Sequence, residues 1–443
     1  MRQQAWTHGW TVIVVLSGLV AAAVLGAAAS DFFAVSQLLV LGALGAPLVA
    51  AVYAWPPLGL LCGVTAPLLA NALGNSLVLP AGLLLVGLAA LRSWPNSSMR
   101  SRRAAGLILL MGILTVLIGI VLAGNAGPTQ GQGMAVLYAT TVGIAAALGT
   151  QGFAVIGVCL WTAALPMAVL AYGSSALRID RTTAVLGENA NGVGIVSALG
   201  FVAAVVSVRV APPYLRMLAF PVALVCGAGV LVSGSRGALA VVLAGGVTAL
   251  VWSRSVRVSG ARIVGLIVAA GVMLFFSQPL VDRFLVFVGR SVLVGTAPLD
   301  SRISLLPFAL EQGAAHPLLG VGLAQLGNVG ATAAGYRVDQ RAHNVYVGAF
   351  AETGIIIALL LIIVSALALR RAWVCARITG LPLAVAAVTV GMSLEWWGSG
   401  VIGPVVMLVI GACLGLSTPV PTVVDRDGGA ATIEMRVQNA ANQ

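Results

Sequence analysis

Apolar runs of roughly 17 to 25 residues, each long enough to cross about 30 Å of hydrocarbon, follow one another along almost the whole chain. They fall near 9–29, 33–54, 57–73, 76–92, 104–123, 133–149, 152–171, 190–207, 214–232, 237–253, 261–278, 343–369, 381–396 and 398–417. The series predicts an all-α, polytopic membrane protein with about 12 to 14 transmembrane helices. The pairs at 57–92 and 381–417 are short for two crossings each, so the lower number holds if one pair is re-entrant. Three regions follow: an N-terminal transmembrane bundle over 1–171, a second membrane region over 172–417, and a polar tail over 418–443 that reads as disordered.

Most links between runs are short, and the segment 279–342 is the exception. A loop of that length in a compact protein is usually functional or disordered, and this one is too apolar and too well punctuated to be a disordered tail. Asp282, Arg283 and Arg290 alternate with Phe284, Phe287 and Val288 at helical spacing, the pattern of a helix lying in the membrane interface. Ser301 is a candidate N-cap for a second short helix, Arg302 to Gln312, which Gly313 and His316-Pro317 would stop. The glycines at 320, 322, 327 and 330 read as a flexible connection, and the run Arg341-Ala-His-Asn leads into the next span.

Composition agrees with the pattern and adds orientation. At 60% hydrophobic, 8% charged and mean hydropathy +1.06, the chain lies outside soluble globular usage. The formal charge of +11 comes from arginines in short clusters between apolar runs, with no lysine. That distribution is the positive-inside pattern rather than a nucleic-acid-binding surface. The clusters Arg92 to Arg103, Arg254 to Arg262 and Arg370 to Arg377 then face the cytoplasm, together with both termini. The opposite face receives the loop Tyr172 to Asn191, the turn Ser233 to Arg236, the segment 279–342 and the turn around Glu395. A site open to the outside is implied. The five cysteines sit in or beside apolar spans without CxxC spacing, so neither a disulfide framework nor a metal site is suggested. The first apolar run, followed by Ala-Ala-Ala-Ser at 27–30, imitates a signal peptide but reads as an uncleaved first helix.

Arg236 precedes a bilayer-depth apolar run on the face where positive-inside clusters do not belong. At a helix N-terminus its guanidinium fork suits bidentate bonds to phosphate oxygens, whereas the bland alternative is snorkelling to headgroups. Arg302 stands beside Asp300, so a local ion pair competes there. His316, before Pro317, reads as structural. Glu352, about 13 Å into its helix at 1.5 Å per residue, reads as a packing or ion-pair residue. Glu395, next to Trp396 and Trp397, either contacts the histidine or a bound substrate or is part of an interfacial anchor belt.

Three pieces together resemble the bacterial O-antigen ligase and O-antigen polymerase superfamily: Ser233-Gly-Ser-Arg-Gly237, then Arg302 with His316-Pro-Leu-Leu-Gly-Val-Gly322, then His343-Asn-Val-Tyr346 with Glu352-Thr-Gly354. The resemblance covers 187–369 and includes Gly187-Glu-Asn-Ala-Asn191, where a Glu and an Ala stand in place of a common proline. It implies a helical enzyme without metal or cofactor that transfers a saccharide from an undecaprenyl-diphosphate-linked donor to a hydroxyl of a glycan or lipid acceptor. The resemblance also implies that this transfer would take place on the outer face of the cytoplasmic membrane, with other polysaccharide-assembly proteins as candidate partners. On that reading Arg236 and Arg302 hold the diphosphate and His343 takes the acceptor proton, since imidazole has an unperturbed pKa of about 6.5. Arg181, Asn191, Arg341 and Glu395 are further candidates. A polytopic transporter or lipid-linked glycan flippase is the competing class, but no internal repeat is visible and the polar residues gather on one face.

Overall fold

The computed structural model describes residues 48–74, 78–123, 127–149, 153–176, 184–185, 188–210, 213–253, 297–334, 342–394, 396–397 and 399–416. The run at 9–29, most of that at 33–54, the span at 261–278, the interfacial helix around Phe284, the cleavage-site motif and the tail lie outside these residues.

After a helical stretch at 48–54 come α1 (Pro57–Leu73), α2 (Val78–Ser93), α3 (Met99–Ala123), α4 (Gly127–Leu148) and α5 (Phe153–Ala176). A two-residue antiparallel hairpin, β1 (Ala184–Val185) with β2 (Glu188–Asn189), leads into α6 (Ala190–Val210), α7 (Pro213–Ser233) and α8 (Arg236–Ser253). The remainder is α9 (Ala297–Ala315), α10 (Leu326–Ala334), α11 (Val345–Cys375), α12 (Gly380–Ser393) and α13 (Ile402–Leu414). Apart from that hairpin the described architecture is all-α, as the hydropathy predicts. Among the described residues α3, α5, α6, α7 and α11 contain stretches long and apolar enough to cross a membrane, and shorter apolar stretches lie in α1, α2, α4, α8, α12 and α13.

The core forms where small residues let helices approach closely. All thirteen residues of α13 are buried, and α13 packs on α4 with Gly411 against the backbone of Gly143, where a Cβ would collide with the Gly143 carbonyl oxygen. Polar side chains inside the spans satisfy themselves locally: Thr65, Thr115 and Thr162 donate to the carbonyls of Leu61, Met111 and Val158 at 2.9, 2.7 and 2.8 Å. At one end of the bundle Arg92 stacks over Tyr53, Arg102 over Trp94 and Arg377 over Trp373, at 5.2, 5.7 and 5.0 Å. Ser101 Oγ donates to Gly415 O (3.0 Å) and an Arg371 N–H to Leu416 O (3.4 Å). The clusters around Arg100 and Arg371 therefore share one end.

The decisive departure from regular structure lies in α11. Gly354, with φ 82° and ψ 178°, occupies a region of backbone space open essentially to glycine alone, and the helix breaks there. Its freed groups are taken over by the turn after α9: Val321 N–H donates to Ala351 O (2.8 Å), Gly322 N–H to Glu352 O (2.9 Å), and Ile355 N–H to Pro317 O (2.8 Å). The fit is tight enough that a Cβ on Gly354 would strike the Leu318 carbonyl and one on Gly320 the backbone at Glu352 and Thr353. The two halves of α11, 345–353 and 355–375, fold back on each other. Tyr346 Oη lies 3.1 Å from Ser365 Oγ, although a straight helix would put residues 19 apart about 28 Å from one another.

Three expectations change. The helix expected from Ser301 begins at Ala297, so Ser301 lies within it and is not its N-cap. Pro298 and Asp300 in the first turn explain the earlier start, one by its preset φ and the other by facing the positive end of the helix dipole. Gly327 and Gly330 belong to α10, anchored by Leu326, which is buried with Ala309, Ala342 and Ala351; Gly320 and Gly322 are pinned rather than flexible. Glu352 does not sit part-way down a straight helix. It is buried at the break, because the crossing helix starts only at 355. His316 is exposed and continues the last turn of α9, its backbone N–H bonding Gln312 O at 3.0 Å.

Gly354→Ala should cost about 1–3 kcal/mol from backbone conformation alone, with the Leu318 collision adding to it. Gly246→Ala in α8, where a Cβ meets nothing within 4 Å, should leave the protein as stable or slightly more so. Thermal unfolding of both variants in detergent checks this; equal melting temperatures would contradict the break.

Candidate functional site

Several helix ends meet where α12 stops. Ser235 caps α8, its Oγ accepting the Ala238 N–H at 3.3 Å, and Ser233, fully buried, accepts the Ser235 N–H at 3.2 Å. This turn delivers Arg236, half-buried, as the first residue of α8. A Cβ on Gly237 would lie 3.0 Å from Ser393 Oγ, so the start of α8 touches the last residue of α12. The start of α6 packs against the same turn: a Cβ on Gly194 would lie 2.9 Å from Ser235 Cβ. There the cap is Asn189, whose Oδ1 accepts from Asn191 N (2.9 Å) and Gly192 N (3.1 Å), while Asn191 is in the first turn and half-buried.

The third end is that of α11. Asn344, extended at φ −146° and ψ 118°, caps it by accepting the N–H groups of Tyr346 (3.0 Å) and Val347 (3.1 Å). Val345 and Tyr346 lie against Gly391, whose Cβ would come within 3.0 Å of Val345 Cγ1 and 3.2 Å of both Tyr346 Oη and Trp396 Nε1. His343 immediately precedes the cap with φ 51°, in the left-handed region. This conformation costs an ordinary residue of order 1–3 kcal/mol and tends to persist where the surroundings enforce it. Capping therefore belongs to Asn344, with the histidine just ahead of the cap at the helix mouth. Because Tyr346 reaches Ser365, ten residues from the end of α11 at Cys375, His343 is level with the middle of the crossing half, about 15 Å from either end. Folding back at Gly354 thus carries it inward from the end of the crossing half.

Arg302 lies on α9, whose side chain there is not among those described. The helix itself runs parallel to the first half of α11, since Gly313 packs on Phe350 and Ala309 clusters with Ala342 and Ala351. Arg181, Arg341 and Glu395 lie outside the described residues. Trp396 and Trp397 beside Glu395 are 1% and 3% exposed and pack edge to face at 5.5 Å; they are buried at the site rather than forming an interfacial belt. The structure thus brings Arg236, Asn191 and His343 onto helix starts that converge on the end of α12; it gives Asn189, Ser235, Asn344 and Tyr346, which the sequence showed only as members of motifs, definite partners there, and adds Ser393. The serine and asparagine caps were signalled only by residue type ahead of an apolar run. Among the described residues no three His, Cys, Asp or Glu side chains cluster as a metal set.

Three helix N-termini aimed into one region, with an arginine at one of them, make an anion-binding arrangement. Broken helices in membrane proteins use the same device to meet anionic groups away from the aqueous boundary. Residues 221–362 match the family model described as O-antigen ligase. These residues are similar to the O-antigen ligase family. The matched region begins within α7 and ends within α11, so it contains Arg236, α9, the turn bound to the break, and His343. No curated protein matches the chain.

Proposed function

We propose that this O-antigen ligase-related protein is a glycosyltransferase that moves a saccharide from an undecaprenyl-diphosphate-linked donor to a hydroxyl of a glycan or lipid acceptor. The observation that supports the reading is that two helix starts within the region matched by the family, one beginning with Arg236 and one preceded by His343, both lie against the end of α12. The acceptor oxygen attacks the anomeric carbon, His343 takes its proton, and the bond to the diphosphate breaks with its electrons going to the leaving group. Arg236, the helix dipoles and Arg302 offset the charge that develops there. Attack opposite the diphosphate inverts the anomeric configuration, and no step calls for a metal. Arg181, Asn191, Arg341 and Glu395 are the further candidates for holding donor or acceptor. Burial of the centre among apolar helices strengthens each of these interactions relative to water.

The positive-inside rule assigns the arginine-rich end to the cytoplasm, which supports a site served from the outer side of the membrane. In a cysteine-free protein, single cysteines placed at 314–319, where the turn is exposed, should react with an impermeant thiol reagent added to intact cells. Reaction at 95–97 and not at 314–319 would reverse the orientation.

Transfer by the purified protein, from a lipid diphosphate donor with EDTA present, tests the chemistry. His343→Asn keeps a residue that tolerates positive φ but removes the base, so activity should fall by about 10²–10⁴ while the melting temperature holds. Arg236→Lys should also fail, by about 2–4 kcal/mol in transition-state stabilisation, because a point charge does not reproduce the planar fork. A fully active His343→Asn enzyme, or product with retained configuration, would contradict the assignment.

A further inference from the structure

At the arginine-rich end, remote from the site just described, a groove of about 800 Å³ opens between the start of α3, the last turns of α11 and the end of α13. Arg100, Arg103 and Arg371 line it together with Leu107, Leu367 and Leu414, and among the described residues no carboxylate does. The order along each helix is regular. Arg103 and Leu107 are four residues apart on α3, as are Leu367 and Arg371 on α11. Each pair occupies one helix face, with the leucine about 6 Å further into the bundle than its arginine.

The neighbouring cations are already engaged. Arg92, Arg102 and Arg377 stack on aromatic rings, and Arg102 also donates to Pro95 O at 3.1 Å. Arg103 and Arg371 turn instead to the groove from two different helices. Arg371 gives one N–H to Leu416 O at 3.4 Å, one of the five its guanidinium carries. The start of α3 has no acidic residue in its first turn and bears arginines where the helix dipole is already positive, a placement that an anion would stabilise. Guanidinium groups brought to one groove also repel one another until a negative group sits between them.

We propose that this groove binds an anionic phospholipid of the leaflet on the arginine-rich side. Its phosphate lies on Arg100, Arg103 and Arg371, and an acyl chain runs along Leu107 and Leu367. A basic pocket between transmembrane helices at a membrane boundary is a setting suited to acidic headgroups, and the leucine wall selects a lipid over a free anion, which would use the arginines alone. Bound there, the lipid bridges α3 to the end of α11, the helix whose other end carries the break at Gly354.

Native mass spectrometry of the full chain in a neutral detergent, titrated with phosphatidylglycerol or phosphatidylcholine, tests this. Wild type should retain phosphatidylglycerol about tenfold more tightly, and the Arg103→Gln/Arg371→Gln protein should lose about that factor. Arg216→Gln, at an exposed position of α7 outside the groove, should change nothing, and Arg103→Lys/Arg371→Lys should keep most of the preference because a phospholipid phosphate accepts a point charge. Equal retention of the two lipids by wild type would overturn the proposal without reference to any variant. So would undiminished phosphatidylglycerol binding in the glutamine protein, or displacement of the lipid by millimolar inorganic phosphate, which would identify a free-anion site.

Discussion

A helix that breaks inside an apolar bundle exposes carbonyl and amide groups that no water can satisfy, and leaving them unpaired costs several kcal/mol. In α11 the break at Gly354 is tolerated because the turn 317–322 supplies the missing partners, two donors and one acceptor, in place of the next helical turn. The turn and the break are mutually dependent: Gly320 and Gly354 each fit only without a side chain. From this exchange follows the rest of the site. The first half of α11 folds back, its start moves to the middle of the crossing half, and Asn344 and His343 arrive beside the end of α12.

That end is available because α12 and α13, with 14 and 13 residues, span only about 20 Å each at 1.5 Å per residue, short of the roughly 30 Å of hydrocarbon. The segment between them, with the buried Trp396 and Trp397, closes the bundle below the missing third of the crossing. Two short helices and one folded-back helix bring their ends together within the membrane's depth, beside the starts of α6 and α8. The electrostatic character of that meeting point is set by backbone as much as by side chains, since the starts of three helices and the guanidinium of Arg236 carry the same sign.

Hydropathy located the described helices closely because membrane crossing demands length and apolarity, both properties of composition. The predicted runs at 57–73, 190–207 and 214–232 coincide with α1, α6 and α7 within a few residues. What it could not register was the fold-back. An apolar average over 343–369 reads the same whether the helix is straight or broken, and only the polar step Glu352-Thr-Gly354 marks the place. The pieces His316 to Gly322 and Glu352 to Gly354 stood out separately in the sequence; their hydrogen bonding to one another became apparent only in three dimensions, because backbone-to-backbone bonds leave no side-chain signature. The buried position of Trp396 and Trp397 was hidden for a related reason, since an aromatic pair at the end of a span looks the same whether it meets headgroups or the interior.

The account rests on the fold-back of α11, and a distance decides it. With the native cysteines replaced and new ones placed at Tyr346 and Ser365, a short bifunctional thiol reagent spanning less than about 10 Å should join the two positions within one chain, because their side chains meet at 3.1 Å in the native protein. If α11 were continuous, about 28 Å would separate these positions at 1.5 Å per residue. No intramolecular link would then form, and failure to form one in a folded protein that reacts readily at each single cysteine would contradict the structure of the site.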